Sequence, residues 1–178
     1  YSRKLAYFGR LNYDYAGKYM AQFSLRADAA DLSVLPKEKR WGYFPAVSLG
    51  WVISNEKFME KTQNWLSHLK LRASWGQNGS LSALSGYAYS TDMASSGIYP
   101  LTGGNGFTTG VNPASLGNDE LKWETSEQID FGLDARFLRD RLTFSVDYYE
   151  KKTKDLLVLD TKPSLSIGGK TSPMNAGN

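Results

Sequence analysis

The residues of this chain that could do acid–base chemistry are a single histidine and a few spaced carboxylates. His68 lies beside Lys70 and Arg72 in the sequence, but no nucleophile stands at a motif spacing from it. Asp130 and Asp134 fall on one face of a predicted strand, about 13 Å apart by the strand rise, which is too far for joint work on one bond. The chain has no cysteine, which excludes a thiolate metal site and a cysteine nucleophile. We therefore expect that the protein is not an enzyme.

Motifs for phosphate, calcium and nucleic acid are incomplete as well. The glycine-rich run 103–106 lacks the Lys-Ser/Thr of a phosphate-binding loop and its strand-to-helix context. Asp31, Asp119 and Glu120 do not have the spacing of a calcium loop. With 21 Lys and Arg against 18 Asp and Glu, the net charge of +3 is too small to indicate a nucleic-acid partner. We predict no cofactor, no metal site and no nucleic-acid binding.

Aromatic side chains in predicted loops are the candidates for contact with a ligand or a partner. An exposed ring on a long loop can stack on a sugar face or hold a peptide side chain. The same ring can instead pack the loop against its neighbours, and both interpretations stay open here. These candidates are Trp41, Tyr87, Tyr89, Tyr99 and Phe107.

The elements that position these residues are strands, because the hydrophobic pattern has a period of two over long stretches. From Ile129 to Phe137, every second residue is apolar, and the residues between them are polar or glycine. The third segment alternates least clearly, since its second face is mostly apolar and reads Phe44, Ala46, Ser48, Gly50 and Val52. Six strands are predicted, at 7–15, 19–28, 44–53, 68–75, 128–137 and 142–149.

The connections between these strands alternate between short and long, which is typical of outer-membrane barrels. Two of them are tight turns, and the one at 16–18 contains Gly17, which can supply a positive φ. Residues 54–67 are predicted to form a short helix that carries Phe58, Met59 and Trp65, with Ser54 or Asn55 as its cap. On this pattern the segments 29–43, 76–120 and 158–178 face outward, and 16–18, 54–67 and 138–141 face the periplasm.

A membrane barrel explains the strand lengths better than a soluble barrel does. The alternating stretches approach the 9–11 residues that span a bilayer at a tilt, whereas soluble strands average about 5–6. Six strands cannot close a membrane barrel, since the smallest have eight. The predicted fold class is therefore all-β, an antiparallel transmembrane β-barrel segment of about six strands from a larger barrel. We expect residues 1–178 to form one partial barrel domain, with the plug domain and the closing strands absent from this chain.

The alternation assigns side chains to two surfaces of this predicted barrel. The apolar side chains face lipid, and the polar ones face the lumen, where charges are tolerated. Asp130 and Asp134 are expected to pair with lumen neighbours such as Arg72 and Arg136. The lumen-facing residues are Arg10, Asn12, Gln22, Arg26, Arg72, Gln128, Asp130, Asp134 and Asp147, and the lipid-facing residues are Phe23, Leu25, Leu49, Leu71, Ile129, Phe131, Leu133, Phe144 and Val146.

Several long segments give the chain a family resemblance. YFGRLNYDYAGKY at 7–19, RWGYFPAVSLGWVISNEKFM at 40–59, LKLRASWGQNG at 69–79 and the stretch 121–157 appear in the expected order. The chain resembles the SusC/RagA family of TonB-dependent outer-membrane transporters of Bacteroidetes. The resemblance implies import of a bulky nutrient, an oligosaccharide or a peptide, across the outer membrane of a Gram-negative bacterium. It also implies a SusD-like surface lipoprotein as lid, coupling to TonB through parts of a parent chain, and contact with lipid or lipopolysaccharide.

Two other functions stay open at the level of sequence. The first is a soluble β-barrel that binds an apolar ligand inside, because an inward apolar face would show the same alternation. The second is a passive porin, which has the same wall but neither plug nor TonB box.

Overall fold

The protein is built from long antiparallel strands. The structure, a computed structural model, describes residues 3–62, 64–84, 86–100, 107–158 and 173–177. Six strands form one sheet in the order β1-β2-β3-β4-β7-β8, which confirms the six strands predicted from the hydrophobic pattern. The strands of the described residues are β1 (Leu5–Tyr15), β2 (Tyr19–Ala29), β3 (Trp41–Val52), β4 (Leu66–Ser80), β5 (Asp92–Pro100), β6 (Phe107–Ser115), β7 (Glu124–Phe137), β8 (Leu142–Lys154), β9 (Leu157–Val158) and β10 (Met174–Asn175).

The six-stranded sheet has an inner end with short connections and an outer end with long ones. The tight turns at 16–18 and 138–141 close the inner end, and the segments 30–40 and 81–123 leave the outer end. Each strand of this sheet has at least 11 residues, enough to span a bilayer at a tilt. Among the described residues, no helix has the length and apolar character needed to cross a membrane.

Both predicted tight turns are present, and both use left-handed backbone. Gly17 has a φ of +63° and Ala16 a φ of +56°, while the Asp14 carboxylate accepts a hydrogen bond of 3.0 Å from the Gly17 N–H. At the second turn, Leu138, Arg139 and Asp140 have φ values of 55°, 58° and 64°. Left-handed conformations are unfavourable for residues with a Cβ, so the packing of the flanking strands must impose this turn.

The predicted helix at the inner end is present only as two short 3₁₀ segments, Ile53–Asn55 and Lys57–Thr62. Trp65 lies beyond both of them. The proposed cap residues have other partners, which explains the difference. The Asn55 side chain donates to the Gly17 carbonyl at 2.8 Å, and the Ser54 hydroxyl lies 3.2 Å from His68 Nδ1. These contacts tie the connection to the neighbouring turn and strand.

The long outer segment contains a hairpin that the sequence pattern did not predict. Strands β5 and β6 pair with each other and form a separate two-stranded sheet. Their register shifts between Asp92 and Met93 and again between Ser95 and Ile98. Each shift changes the alternation of side chains, so the sequence shows no regular period of two over this stretch.

The outer segments pack around a small hydrophobic core, and we call these segments together with their core the outer cap. Its buried members are Ala30, Leu35, Leu121 and Leu157, and Trp123 packs against them. Three hydrogen bonds link the cap segments: Arg40 Nε to the Ala30 carbonyl at 3.0 Å, Trp123 Nε1 to the Arg40 carbonyl at 3.1 Å, and the Tyr89 hydroxyl to the Leu32 carbonyl at 2.8 Å. The first bond closes the segment 30–40 on itself, and the other two join segments distant in sequence, so the cap is a packed unit.

The outer cap explains the irregular pattern of β3. Phe44 belongs to the polar face of the sheet, yet only 6% of it is exposed. Its ring packs edge-on against Trp123 at 5.5 Å and lies over Gly42 and Gly79, where a Cβ would collide with it. Val52 is buried in the same way at the inner end. Trp123, which belongs to the outer segment, thus covers Phe44 and explains an apolar residue on this face.

Candidate functional site

The apolar face of the sheet brings together the residues predicted to face lipid. Residues directly opposite each other on paired strands share a face. Leu71 lies opposite Leu133, which lies opposite Val146. Leu49 and Phe131 each expose 55% of their surface, so nothing in the described part of the chain covers this face. The same face carries all nine predicted residues, Phe23, Leu25, Leu49, Leu71, Ile129, Phe131, Leu133, Phe144 and Val146.

Two aromatic rows border this apolar face. The inner row contains Tyr15, Tyr19 and Trp51, with ring centroids 6.5 Å and 6.2 Å apart. The outer row contains Tyr7 and Trp41, whose rings stack at 6.2 Å. From Trp41 to Trp51 the chain advances about 33 Å along β3, or about 25 Å along the normal of a tilted strand, which is the height of the apolar band in outer-membrane barrels.

The position of Trp41 corrects one sequence-based expectation. We expected this residue in an outer loop, but it is the first residue of β3 and lies opposite Ala29 on the apolar face. The strand begins earlier than predicted because the pairing with β2 continues outward to Ala29. Trp41 thus lies where an interfacial aromatic residue belongs.

The polar face collects the residues predicted to face the lumen. One row across the sheet reads Asn12, Gln22, Ser48, Ser74 and Asp130. Open clefts of about 430 Å³ and 500 Å³ lie along this face. The predicted lumen residues Arg10, Asn12, Gln22, Arg26, Arg72, Gln128, Asp130, Asp134 and Asp147 all share it.

An ion-pair network joins three strands at the centre of the polar face. Arg72 Nε lies 2.8 Å from Asp134 Oδ2, and another guanidinium nitrogen of Arg72 donates to Asp147 Oδ1 at 2.9 Å. Ser145 donates to Asp134 at 2.8 Å. The predicted pairing of Asp134 with Arg72 is therefore confirmed. Asp130 lies opposite Ser74 and Tyr149 instead, and no ion pair joins it to Arg136 in the described structure.

A glycine on β7 makes this network possible. Gly132 lies directly opposite both Arg72 and Asp147. A Cβ at this position would collide with the Asp147 carboxylate and would lie 2.9 Å from a guanidinium nitrogen of Arg72. The glycine thus leaves the space through which Arg72 on β4 reaches Asp147 on β8.

Removing the guanidinium is expected to destabilise the sheet moderately. Arg72→Leu leaves the Asp134 and Asp147 carboxylates close together without their cation, and we expect a loss of about 1 kcal/mol, because the three side chains are 28–46% exposed. Chemical unfolding of the full-length protein in lipid vesicles measures this loss. In the Arg72→Leu background, Asp147→Asn should cost less than it does in the wild type. Equal costs would show that the two residues are not coupled.

A second polar cluster lies at the inner end of the apolar face. Glu56 accepts hydrogen bonds from the Tyr19 hydroxyl at 2.8 Å and from Trp51 Nε1 at 3.4 Å, and Lys18 Nζ lies 3.1 Å from its other oxygen. The Tyr19 bond first, and the Lys18 bond second, hold the pKa of Glu56 below its usual range. The contribution of this carboxylate to stability is therefore present above its unfolded-state pKa and is lost as the pH falls through its folded-state value.

The loop aromatics divide between packing and exposure. Tyr89 packs against the core of the outer cap, which favours a structural role, whereas Tyr87 is 58% exposed with a φ of +62°. The side chains of Tyr99 and Phe107 lie outside the described residues. Asp31 belongs to the cap rather than to a calcium loop, because its carboxylate accepts the backbone N–H groups of Arg3 and Ser33, which lower its pKa. Among the described residues, no three acidic or histidine side chains gather as a metal site.

A partly open cleft of about 610 Å³ lies between the outer cap and the polar face. Its lining includes the apolar side chains of Leu84 and Trp123 and the charged side chains of Arg26 and Asp28, which form a 2.8 Å ion pair. A ligand with both polar and apolar groups would fit such a lining. The sequence analysis selected Arg26 but missed Trp123. The only sequence signal that could have indicated a covering side chain was the irregular alternation of β3 at Phe44.

Comparisons with known proteins give one consistent family. A family model described as "TonB dependent receptor-like, beta-barrel" matches residues 1–178. TonB-dependent receptor SusC of Bacteroides thetaiotaomicron is 38% identical over 159 residues, which cover 86% of this chain and 15% of that protein. TonB-dependent receptor P3 of Formosa agariphila is also 38% identical over 159 residues, covering 89% of this chain and 15% of that protein.

Solved structures agree with these sequence relatives. The RagAB peptide importer in its open-open state superposes with a TM-score of 0.80 and 29% identity, covering 98% of this chain and 18% of the matched chain. The RagAB peptide transporter gives a TM-score of 0.78 and 30% identity, covering 97% of this chain and 18% of the matched chain. The chain thus spans about 15% of the length of the curated relatives it matches. With its whole length matched and its two-faced sheet, the chain belongs to the family of TonB-dependent receptor-like β-barrels.

Proposed function

We propose that this chain is part of the barrel wall of an outer-membrane transporter that imports a bulky nutrient, an oligosaccharide or a peptide, with energy from TonB. The observation that carries the proposal is the sheet with one apolar face between two aromatic rows and one polar face with an ion-pair network. A lipid-facing wall and a wet lumen require these two surfaces. The plug, the TonB-contacting segment and the remaining strands would lie in other parts of the parent protein.

The relatives support the elements of this proposal. SusC and the RagAB importer are named as a TonB-dependent receptor and a peptide importer, and none of the relatives reported above is named as an enzyme. Within this chain, the polar face and the cleft under the outer cap would contact substrate, and Arg26, Asp28 and Trp123 are the residues we assign to that contact.

Growth and uptake experiments test the import function. Deleting the gene of the full-length protein should abolish growth on its oligosaccharide or peptide source, and disrupting TonB should have the same effect. The protein should be recovered from the outer membrane only with detergent. Uptake that persists without TonB would indicate a passive porin, and recovery without detergent would indicate a soluble binding module.

The hairpin of β5 and β6 is the surface that we assign to a SusD-like surface lipoprotein. Met93 lies opposite Pro113, Ser95 opposite Val111, and Ile98 opposite Thr109. The register shift after Ser95 keeps Met93, Ile98 and Val111 on one face of the hairpin, where they are 61%, 73% and 59% exposed. A two-stranded hairpin is only marginally stable in water, so a protein that covers this face would stabilise it.

Substitutions on the hairpin test this assignment. Ile98→Glu should reduce the amount of SusD-like lipoprotein that co-purifies with the full-length protein by about fivefold or more, because it buries a charge in an apolar contact. Thr108→Glu is the matched control, since Thr108 points to the opposite face of the hairpin and should leave co-purification unchanged. Equal losses for both variants would contradict the assignment.

A further inference from the structure

A groove crosses the apolar face of the sheet, from Tyr19 and Trp51 near the inner end of β2 and β3 to Leu133 in the middle of β7. The groove has a volume of about 680 Å³ and is lined almost entirely by apolar groups. Its floor follows one row across the sheet, which reads Tyr13, Ala21, Leu49, Ala73, Phe131 and Tyr148. Along this row, the groove is deepest over the small side chains of Ala21 and Ala73 and shallower over the larger side chains between and beside them. An extended hydrocarbon chain matches this shape and polarity.

The inner mouth of the groove carries one cation and one anion. Tyr19 and Trp51 line the groove, and both donate hydrogen bonds to Glu56. Lys18 pairs with the other oxygen of the same carboxylate. The aromatic row marks the membrane interface. The charged groups beside it would contact a lipid headgroup, and the apolar groove would contact the acyl chains.

The unused hydrogen-bonding capacity of these two side chains indicates which headgroup fits. Lys18 Nζ has three donors and uses one on Glu56, which leaves donors for a phosphate. The Glu56 carboxylate has about four acceptor positions, and Lys18, Tyr19 and Trp51 occupy three. An ammonium group can take the remaining acceptor, and the adjacent rings of Tyr19 and Trp51 provide further stabilisation of a cation.

We propose that this groove and its mouth form a binding site for a zwitterionic aminophospholipid of the inner leaflet, such as phosphatidylethanolamine. One acyl chain lies over Ala21 and Ala73, the phosphate contacts Lys18, and the ammonium group contacts Glu56 and the aromatic row. The proposal rests on the proposed membrane location of the apolar face and adds a specific lipid to it.

Native mass spectrometry of the full-length protein in detergent tests this site. Phosphatidylethanolamine and phosphatidylglycerol with identical acyl chains are added in equal amounts, and the lipid retained on the protein is measured. We expect phosphatidylethanolamine to be retained about two- to fivefold more, the preference that one cation–π contact at an exposed site provides. Equal retention of the two lipids by the wild type would overturn the proposal.

Two variants separate the groove from the headgroup contacts. Ala21→Leu fills the groove and should reduce retention of both lipids, whereas Ala27→Leu makes the same change on the same face of β2, toward its outer end, and should have no effect. Glu56→Gln keeps an acceptor for Tyr19 but leaves the Lys18 charge unbalanced, so the preference should shift to the anionic phosphatidylglycerol.

The outcomes distinguish this site from the transport function itself. Unchanged retention in Ala21→Leu, or an unchanged lipid preference in Glu56→Gln, would overturn the lipid site and leave import untouched. If Ala21→Leu does not fold, the Glu56→Gln result decides. A wild-type protein that does not enter the membrane fraction would overturn the proposed function, and the lipid site with it.

Discussion

Replacing Phe44 by alanine is expected to lower the free energy of unfolding by about 3–5 kcal/mol, the usual range for truncation of a buried phenylalanine. Phe44 is 6% exposed, and its ring fills the space between Trp123 and the two glycines at the outer end of the sheet. The alanine leaves a cavity there. The backbone of β3 is held at this level by its pairing with β2, and that of β4 by its pairing with β7, so neither strand can move in to close the cavity. Chemical unfolding of the full-length protein in lipid vesicles, followed by tryptophan fluorescence, measures the loss.

Two further variants establish that the effect comes from burial. Phe58→Ala removes a ring that is 67% exposed on the inner connection, and it should cost well under 1 kcal/mol. Phe44→Leu retains most of the buried volume and should recover more than half of the stability lost in Phe44→Ala. Similar losses for Phe44→Ala and Phe58→Ala would show that the outer cap does not cover Phe44 in the intact protein.

The second large effect is expected for Leu133→Arg, which should destabilise the protein in a bilayer by about 2–4 kcal/mol. Leu133 lies opposite Leu71 and Val146 and is midway between Ile129 and Phe137, the apolar limits of β7. An arginine at this depth must keep its charge in hydrocarbon or distort the bilayer to reach water. Unfolding in vesicles measures the cost, and moving the protein to short-chain detergent should reduce it.

Asp130→Arg is the matched control for Leu133→Arg. It places the same guanidinium on the same strand, but on the polar face, opposite Ser74 and Tyr149. We expect a cost below about 1 kcal/mol there, because a charge in a wet lumen keeps most of its hydration. A larger cost for Asp130→Arg than for Leu133→Arg would mean that the apolar face is turned inward, as in a soluble barrel.

The period-two pattern predicted the part of the fold that depends on burial of one face. All six strands and the membership of both faces follow from it, because alternation decides on which side of a strand a residue lies. The strand ends were less accurate. Trp41 was placed in a loop, since nothing in the sequence indicates how far a partner strand continues to pair.

Features that depend on segments meeting in space were not predictable from one sequence. The burial of Phe44 requires Trp123, which lies 79 positions further along the chain, and the period of β3 shows only that something is irregular. The hairpin of β5 and β6 was missed because its register shifts remove the alternation. Asp147 was placed in the lumen, but its contact with Arg72 requires knowledge of the register across three strands.

The Gly132 position has a consequence for how the sheet assembles. A shift of two residues between β4 and β7 would keep every side chain on its face, so the apolar pattern alone cannot reject it. Tight turns set the register of β1 with β2 and of β7 with β8, but residues 81–123 separate β4 from β7. Only the observed register puts Arg72 opposite the one glycine of β7, where its guanidinium can cross to Asp147. The fit of Arg72 over Gly132 thus favours one alignment of β4 with β7, which no short turn between these strands imposes.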